Sequence, residues 1–284
     1  MRTKKLPSAR QLEAAMASRR APRSQRRAPL DPVQAFLLRR GMEVKLTEPD
    51  LPFPAGFDAE HEERFAQRLD SYAFRLFLRG AISNPEGFTP GEATRYLALE
   101  QASELAGELV GLGLARQLSG GRYRLARPAR SFGGTLEWYV ARELRRRLGF
   151  EVATALPWRA RGVGGDLDVV AVADGRLVYL ELKSGPPKHL TKGEVASWLD
   201  RVRALRPDVA LLVLDTSLRL SDKVLPMIAA EPERRGPAPR PRKLARDLWA
   251  VTPHLYAVNA KWDLMANVIE AIAEGLRRLA PEPP

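Results

Sequence analysis

This sequence predicts an α/β protein: a mixed sheet flanked by helices, preceded by a mainly helical region and a basic N-terminal tail. Three observations predict it. Leu136, Val140, Leu144 and Leu148 recur at helical spacing after Gly134. Two apolar runs flank Asp174-Gly175, a two-residue pair typical of tight hairpins. Nine bases and one acid fall within residues 1–28, leaving +8 of the chain's formal net charge of +12 in a stretch too poor in large apolar residues to anchor a core.

Bulk properties bound the answer. The chain has 284 residues, 45% hydrophobic and 28% charged, enough for one large or two modest domains with a buried core. No run approaches the ~20 apolar residues that span a bilayer, so no membrane partner is expected. There is no cysteine, which excludes disulfides, thiolate metal sites and a thiol nucleophile; the expected location is the cytoplasm. The excess of 46 Lys and Arg over 34 Asp and Glu favours a polyanionic partner, nucleic acid above all.

In chain order, residues 1–29 read as a disordered basic tail, able to hold phosphates without sequence preference or simply to be solvated. The Arg-rich start also matches the composition of an organellar transit peptide, and the lack of an apolar h-region argues against a secretory signal. Residues 30–70 form a helical linker region: a helix from Val33 to Arg40, a proline-rich loop over Glu48–Pro54, and a polar helix from about Ala59 to Asp70.

Residues 71–128 form the next expected unit. Tyr72–Ile82 reads as a helix, and Thr89-Pro90-Gly91-Glu92 as a helix start with a capping box. A third helix covers Glu100–Leu112. Leu114–Leu118 and Arg122–Leu125 are short strands joined through Ser119-Gly120-Gly121. Three helices and a two-stranded wing resemble a winged-helix domain, which implies DNA binding through the third helix. That helix carries Glu100, Glu104 and Glu108, the wrong sign for a phosphate-lined groove. The candidate nucleic-acid contacts are therefore on the wing: Arg116, Arg122, Arg124 and Arg127. A packing or protein-contact role stays open beside them.

Residues 131–284 carry the chemistry. A helix from Gly134 ends at Gly149, then strands cover Glu151–Trp158, Gly164–Ala173 and Arg176–Lys183. With Asp174 and Gly175 as the hairpin loop, paired positions sum to 349, so Asp168 lies opposite Glu181 and Asp166 opposite Lys183. Directly paired residues share a sheet face. Asp166, Asp168, Glu181 and Lys183 are thus expected to project together, with Leu167, Val169, Ala171, Val178, Leu180 and Leu182 on the core face. Facing carboxylates repel unless compensated. A divalent cation would compensate, and oxygen ligands suit Mg²⁺ or Mn²⁺. A surface ion pair of Lys183 at a strand end is the plainer alternative.

Asp168 followed by Glu181-Leu182-Lys183 on the next strand resembles the PD-(D/E)XK signature of the restriction-endonuclease-like nucleases. Glu137, in a Gly-x-x-Glu context on the preceding helix, matches an additional acid of that family. Position 167 is Leu where the nominal signature has proline. The resemblance implies a restriction-endonuclease-like core, with a helix over Thr191–Leu205, a strand over Asp208–Leu214 and a further strand over His254–Ala260. It also implies metal-dependent hydrolysis of phosphodiesters, endonucleolytic and on DNA. Asp168 and Glu181 would hold Mg²⁺ or Mn²⁺, with the Leu182 carbonyl as a further ligand. Lys183 would act on the water and the developing charge, and Glu137 as a supporting acid. An RNA-cleaving or ligand-activated defence nuclease, or a non-catalytic nucleic-acid-binding module, are the alternatives; a homodimer is compatible with each. Beyond this core the sequence predicts a helix over Leu220–Ala230, a Pro- and Arg-rich loop over Glu231–Pro241 that with Arg242, Lys243 and Arg246 makes a second basic segment, either a lid or phosphate-contacting loop or a solvated linker, and a packing helix over Trp262–Leu279. His189, six residues past Lys183, reads as a loop cap before the next helix.

Overall fold

The computed structural model describes residues 29–160, 162–230 and 240–280. The basic tail and most of the Pro- and Arg-rich segment 231–241 lie outside the described residues. From Pro32 onward the described residues form one compact unit.

The helical region comes first. It comprises α1 (Pro32–Arg39), α2 (Ala59–Leu69), α3 (Tyr72–Ile82), the single turn α4 (Pro90–Ala93) and α5 (Leu99–Gly111). A two-stranded hairpin follows, β1 (Ala115–Gln117) paired antiparallel with β2 (Tyr123–Leu125). Local chemistry sets the boundaries. Asp58 caps α2 by accepting from the Glu60 and His61 N–H groups, and Ser71 caps α3. Thr89 and Glu92 form the expected capping box, yet the helix they start lasts only four residues. Gly80 shows why α4 can lie so close to α3: a Cβ there would stand 1.6 Å from the Ala93 carbonyl oxygen.

The second part is α6 (Gly133–Leu148), β3 (Glu151–Ala160), β4 (Val163–Ala173), β5 (Arg176–Lys183), α7 (Lys192–Leu205), β6 (Val209–Leu214), α8 (Val224–Ala229), β7 (Arg242–Ala245), β8 (Leu248–Ala250), β9 (Leu255–Asn259) and α9 (Leu264–Arg277). The strands form one mixed sheet in the order β3-β4-β5-β6-β9-β8-β7. β3 to β5 run as an antiparallel meander; β5, β6 and β9 are parallel; β8 and β7 return antiparallel. β6 reads Val-Ala-Leu-Leu-Val-Leu and is buried throughout, as a central strand covered on both faces must be. Its side chains alternate between two cores. Val209, Leu211 and Val213 pack with α6, α9 and the helical region, while Ala210, Leu212 and Leu214 pack with α1, α7 and α8. This mixed sheet with helices on both faces is the arrangement expected of a restriction-endonuclease-like core. Among the described residues no helix is long and apolar enough to cross a membrane.

Two features depart from the sequence reading. Arg242, Lys243 and Arg246 do not lie in a plain loop: β7 and β8 form an edge hairpin, with Arg246 in the left-handed region at φ 46° in its turn. Leu167 also leaves the face of Val169 and Ala171. It packs with Leu156 and Val170 on the α7 side. The cause is a local break in both strands. Ala155 has φ 49°, and the β3–β4 ladder omits the Ala155/Asp168 pair while keeping its register on either side. An unpaired residue in each strand turns the next side chain to the other face.

The helical region is bound to the sheet by charge as well as by apolar packing. Asp215, buried just past β6, accepts from Arg75 Nε at 3.0 Å and from Arg79 Nη2 at 2.9 Å. Arg75 is itself buried, and its Nη1 donates to the Leu69 and Asp70 carbonyls at the end of α2. The Asp215 N–H donates to the carbonyl of Lys183 at 2.8 Å, which reaches the strand carrying the candidate site.

Candidate active site

The hairpin that builds the site turns at Asp174-Gly175, with φ 50° and 73°. Both are positive, as the tight hairpin turn requires. The β4–β5 pairs follow the expected register from Ala173↔Arg176 to Val169↔Leu180. There the ladder stops, one pair short of Asp168 and Glu181. The Asp168 side chain takes over from the backbone: its Oδ2 accepts from the Leu182 N–H at 2.7 Å. The two strands therefore part at a fork with Asp168 in its throat, because the break at Ala155 and Asp168 ends regular pairing at that point.

The fork opens into a pocket of about 490 Å³ lined by Asp166, Asp168, Glu181, Lys183, Glu194 and Arg201, among others. The four residues expected to project together do meet there, through the fork rather than through a continued ladder. Asp166 is exposed at the rim, and Glu181 is 2% exposed. Glu137 approaches from α6, near enough for Asp168, Asp166 and Glu181 to act on its charge.

Glu181 is held by three donors. Oε1 accepts from Arg201 Nη2 at 2.7 Å and lies 3.0 Å from Lys183 Nζ; Oε2 accepts from the Tyr179 hydroxyl. Arg201 Nε donates to that same hydroxyl at 2.9 Å. Lys183 Nζ lies 3.6 Å from Glu194, whose carboxylate also caps α7 through Thr191.

The electrostatics follow from burial and like charge. Burial first, then the Glu181 carboxylate, push Asp168 up to about 7, although the Leu182 N–H works the other way. Glu137 is pushed up to about 8, by burial and then by Asp168 and Asp166. Its Oε2 is buried with no hydrogen-bond partner. For Lys183, burial opposes the charge, but Glu181 and Asp168 outweigh it and raise the pKa above the ordinary lysine value. The ammonium is charged at neutral pH and acts as a donor and a positive charge, not as a base.

Among the described residues no group of three or more His, Cys, Asp or Glu side chains is set as a metal cage. The donor chemistry nonetheless fits a hard divalent cation. The acids are carboxylates with no His or Cys beside them, and Glu137 presents a buried oxygen that nothing satisfies. Glu181 would have to exchange one of its present donors for the ion.

The four arginines expected to contact nucleic acid divide in two. Arg116 and Arg124 are exposed and face each other across β1 and β2, and among the described residues neither forms an ion pair. Arg122 donates to the Gly87 carbonyl and approaches Glu92, and Arg127 donates to the Phe53 carbonyl and approaches Asp50. Internal contacts thus engage the second pair. His189 is exposed in the turn before α7 and does not line the pocket.

Tyr179, Glu194 and Arg201 belong to the site but to no motif. Their signal was positional. Tyr179 precedes Glu181 by two and so shares its face. Arg201 stands three residues after Trp198 and four before Leu205, on the buried stripe of α7, where a charge requires a partner.

No protein-family model matches the chain, and no curated protein matches it. Solved structures do. Protein VC1899 from Vibrio cholerae is 16% identical with a TM-score of 0.51, the match covering 86% of this chain and 62% of that one. Can2 from Sulfobacillus thermosulfidooxidans, in complex with cyclic tetra-adenylate (cA4), is 16% identical with a TM-score of 0.48, covering 84% and 60%. The chain thus spans about three-fifths of these proteins' length. The likeness to VC1899 is one of fold.

Proposed function

We propose that this chain is a Mg²⁺- or Mn²⁺-dependent nuclease that hydrolyses nucleic-acid phosphodiester bonds, with DNA as the expected substrate and internal bonds as the expected target. The observation that supports it is the convergence of Asp168, Glu181 and Lys183 in one pocket at the β4–β5 fork, with Glu137 beside them. A surface ion pair would not need the buried, partnerless Glu137 oxygen or an Asp168 raised to about 7.

Asp168, Glu181 and the Leu182 carbonyl are the groups that would hold the cation. A cation bound there supplies a water of lowered pKa and charge against the phosphate oxygens. The chain's own residues do the rest. Lys183 presents a permanent positive charge and donor N–H groups to the developing negative charge. Tyr179 and Arg201 fix the orientation of Glu181 by donating to its two carboxylate oxygens. The Asp168 bond to the Leu182 N–H keeps the fork open, so that the carboxylates face the pocket instead of closing the ladder.

The test is incubation of the full chain with plasmid, single-stranded DNA and RNA, each with Mg²⁺, Mn²⁺ or EDTA. Metal-dependent cleavage of one of them is expected. Absence of cleavage on all, with retained nucleic-acid binding, would put the non-catalytic reading in its place.

A further inference from the structure

The helical part formed by α3, α4 and α5 is poorly suited to a duplex groove. α5 carries Glu100, Glu104 and Glu108, and Glu108 is already engaged with Arg68 at 2.7 Å. The turn that precedes α5 is different. Tyr96 is 64% exposed and Leu99 67%. The turn is held in place: the Oγ1 of Thr94, a buried residue, accepts from the Tyr96 N–H at 3.2 Å. Arg95 lies over the Tyr96 ring, with its Cζ 5.2 Å from the centroid, and donates to the Tyr96 hydroxyl at 3.2 Å.

The same turn approaches the catalytic half of the molecule. Lys188 sits between β5 and α7, three residues before Thr191, which lines the pocket. Its charge is close enough to help Arg95 lower the pKa of the Tyr96 phenol. Lys223 Nζ donates to the Lys188 carbonyl at 2.9 Å, adding a further cation. Many arginines of this protein are neutralised, such as Arg68 by Glu108, Arg142 by Glu63 and Arg147 by Glu143. Among the described residues Arg95, Lys188 and Lys223 form no ion pair with an acid. An exposed aromatic ring beside three unneutralised cations is the chemistry that holds an unpaired strand: bases stack on the ring and phosphates meet the charges.

We propose that Tyr96, Arg95, Lys188 and Lys223 form a landing ledge for single-stranded nucleic acid beside the pocket, with Tyr96 as the platform on which a base stacks. An unpaired base offers its face to a side chain, whereas a base inside a duplex is stacked on both sides. The ledge defines the substrate class as a single strand or a frayed end. It rests on the nuclease reading for its purpose, not for its existence.

The experiment uses the full chain in EDTA, so that cleavage plays no part. Oligonucleotides carrying 2-aminopurine, as single-stranded DNA, as single-stranded RNA of the same sequence and as a DNA duplex, are titrated by anisotropy and by 2-aminopurine fluorescence. Single strands should bind more tightly than the duplex, with a change in fluorescence on stacking, and the DNA and RNA arms tell which sugar is preferred. Tyr96→Ala should weaken single-strand binding by roughly 5- to 100-fold and remove the fluorescence change, while Tyr96→Trp retains both. Lys188→Ala should lower the salt dependence by about one ion. Tyr96→Ala binding as the wild type does, or a wild type that prefers the duplex, overturns the ledge. Strand binding intact in EDTA, with no cleavage when Mg²⁺ or Mn²⁺ is supplied, overturns the nuclease reading and leaves the ledge standing.

Discussion

Replacing Glu137 by Gln should stabilise this protein at high pH, by an amount that grows as pH rises. Folding takes the Glu137 carboxyl from an ordinary value of 4.5 to about 8, because the folded pocket buries it against Asp168 and Asp166. A raised acid keeps its proton in the folded chain and loses it in the unfolded one. The wild type therefore loses stability as pH rises from about 4.5, and the loss levels off once the folded group ionises near 8. At 1.36 kcal/mol per pKa unit the full loss is on the order of 5 kcal/mol. The open side of the pocket screens part of it, and a Gln amide without partners in the same place costs about 1–3 kcal/mol. The net gain at high pH is about 2 kcal/mol, which for a domain of this size raises the Tm by roughly 4–8 °C. Thermal unfolding followed by circular dichroism in EDTA, near pH 4.5 and near pH 9, measures it. The variant should melt below the wild type at the lower pH, by the cost of the amide, and above it at the higher one. Mn²⁺ should stabilise the wild type more than the variant, since a cation would relieve the same crowding. Equal melting temperatures at both pH values would refute the reading of Glu137 as a buried, uncompensated acid.

Three further outcomes are expected. Lys183→Ala should reduce cleavage by about 10²- to 10³-fold while leaving Mn²⁺ binding measurable by calorimetry, whereas Asp168→Asn should weaken Mn²⁺ binding itself; wild-type cleavage by Lys183→Ala would remove its assigned role. Asp215→Asn should cost about 3–5 kcal/mol in urea unfolding, because it leaves the buried Arg75 charge without its counter-ion; a change under 1 kcal/mol would show that Asp215 does not hold the helical region to the sheet. Gly80→Ala should destabilise by about 1–3 kcal/mol or more, since its methyl group would meet the Ala93 carbonyl; unchanged stability would show that α3 and α4 do not approach so closely.

How far the sequence alone reaches is clearest at the hairpin. Asp174-Gly175 set the turn, the turn set the register, and the register placed Asp168, Glu181 and Lys183 near one another. These are local rules: a two-residue loop leaves one way to pair the strands, and alternation then assigns the faces. The helix of Leu136, Val140 and Leu144 was legible for the same reason, because its apolar period repeats within one turn or two. What depended on the rest of the chain was not legible. No local signal marks Ala155 as the residue that breaks the β3–β4 ladder, yet that break sends Leu167 to the other core and opens the fork at Asp168. Arg201 looked like one more helical charge until α7 was laid against the sheet, where Tyr179 and Glu181 of β5 receive it. The edge hairpin of β7 and β8 was hidden by its basic residues, which on an exposed edge strand are as acceptable as in a loop. The sequence by itself determined the α/β alternation, the hairpin register and the set of acids and lysine along β4 and β5. Only the tertiary structure decided how those side chains are held, charged and exposed, because burial and ion pairing arise between segments that lie far apart in the chain.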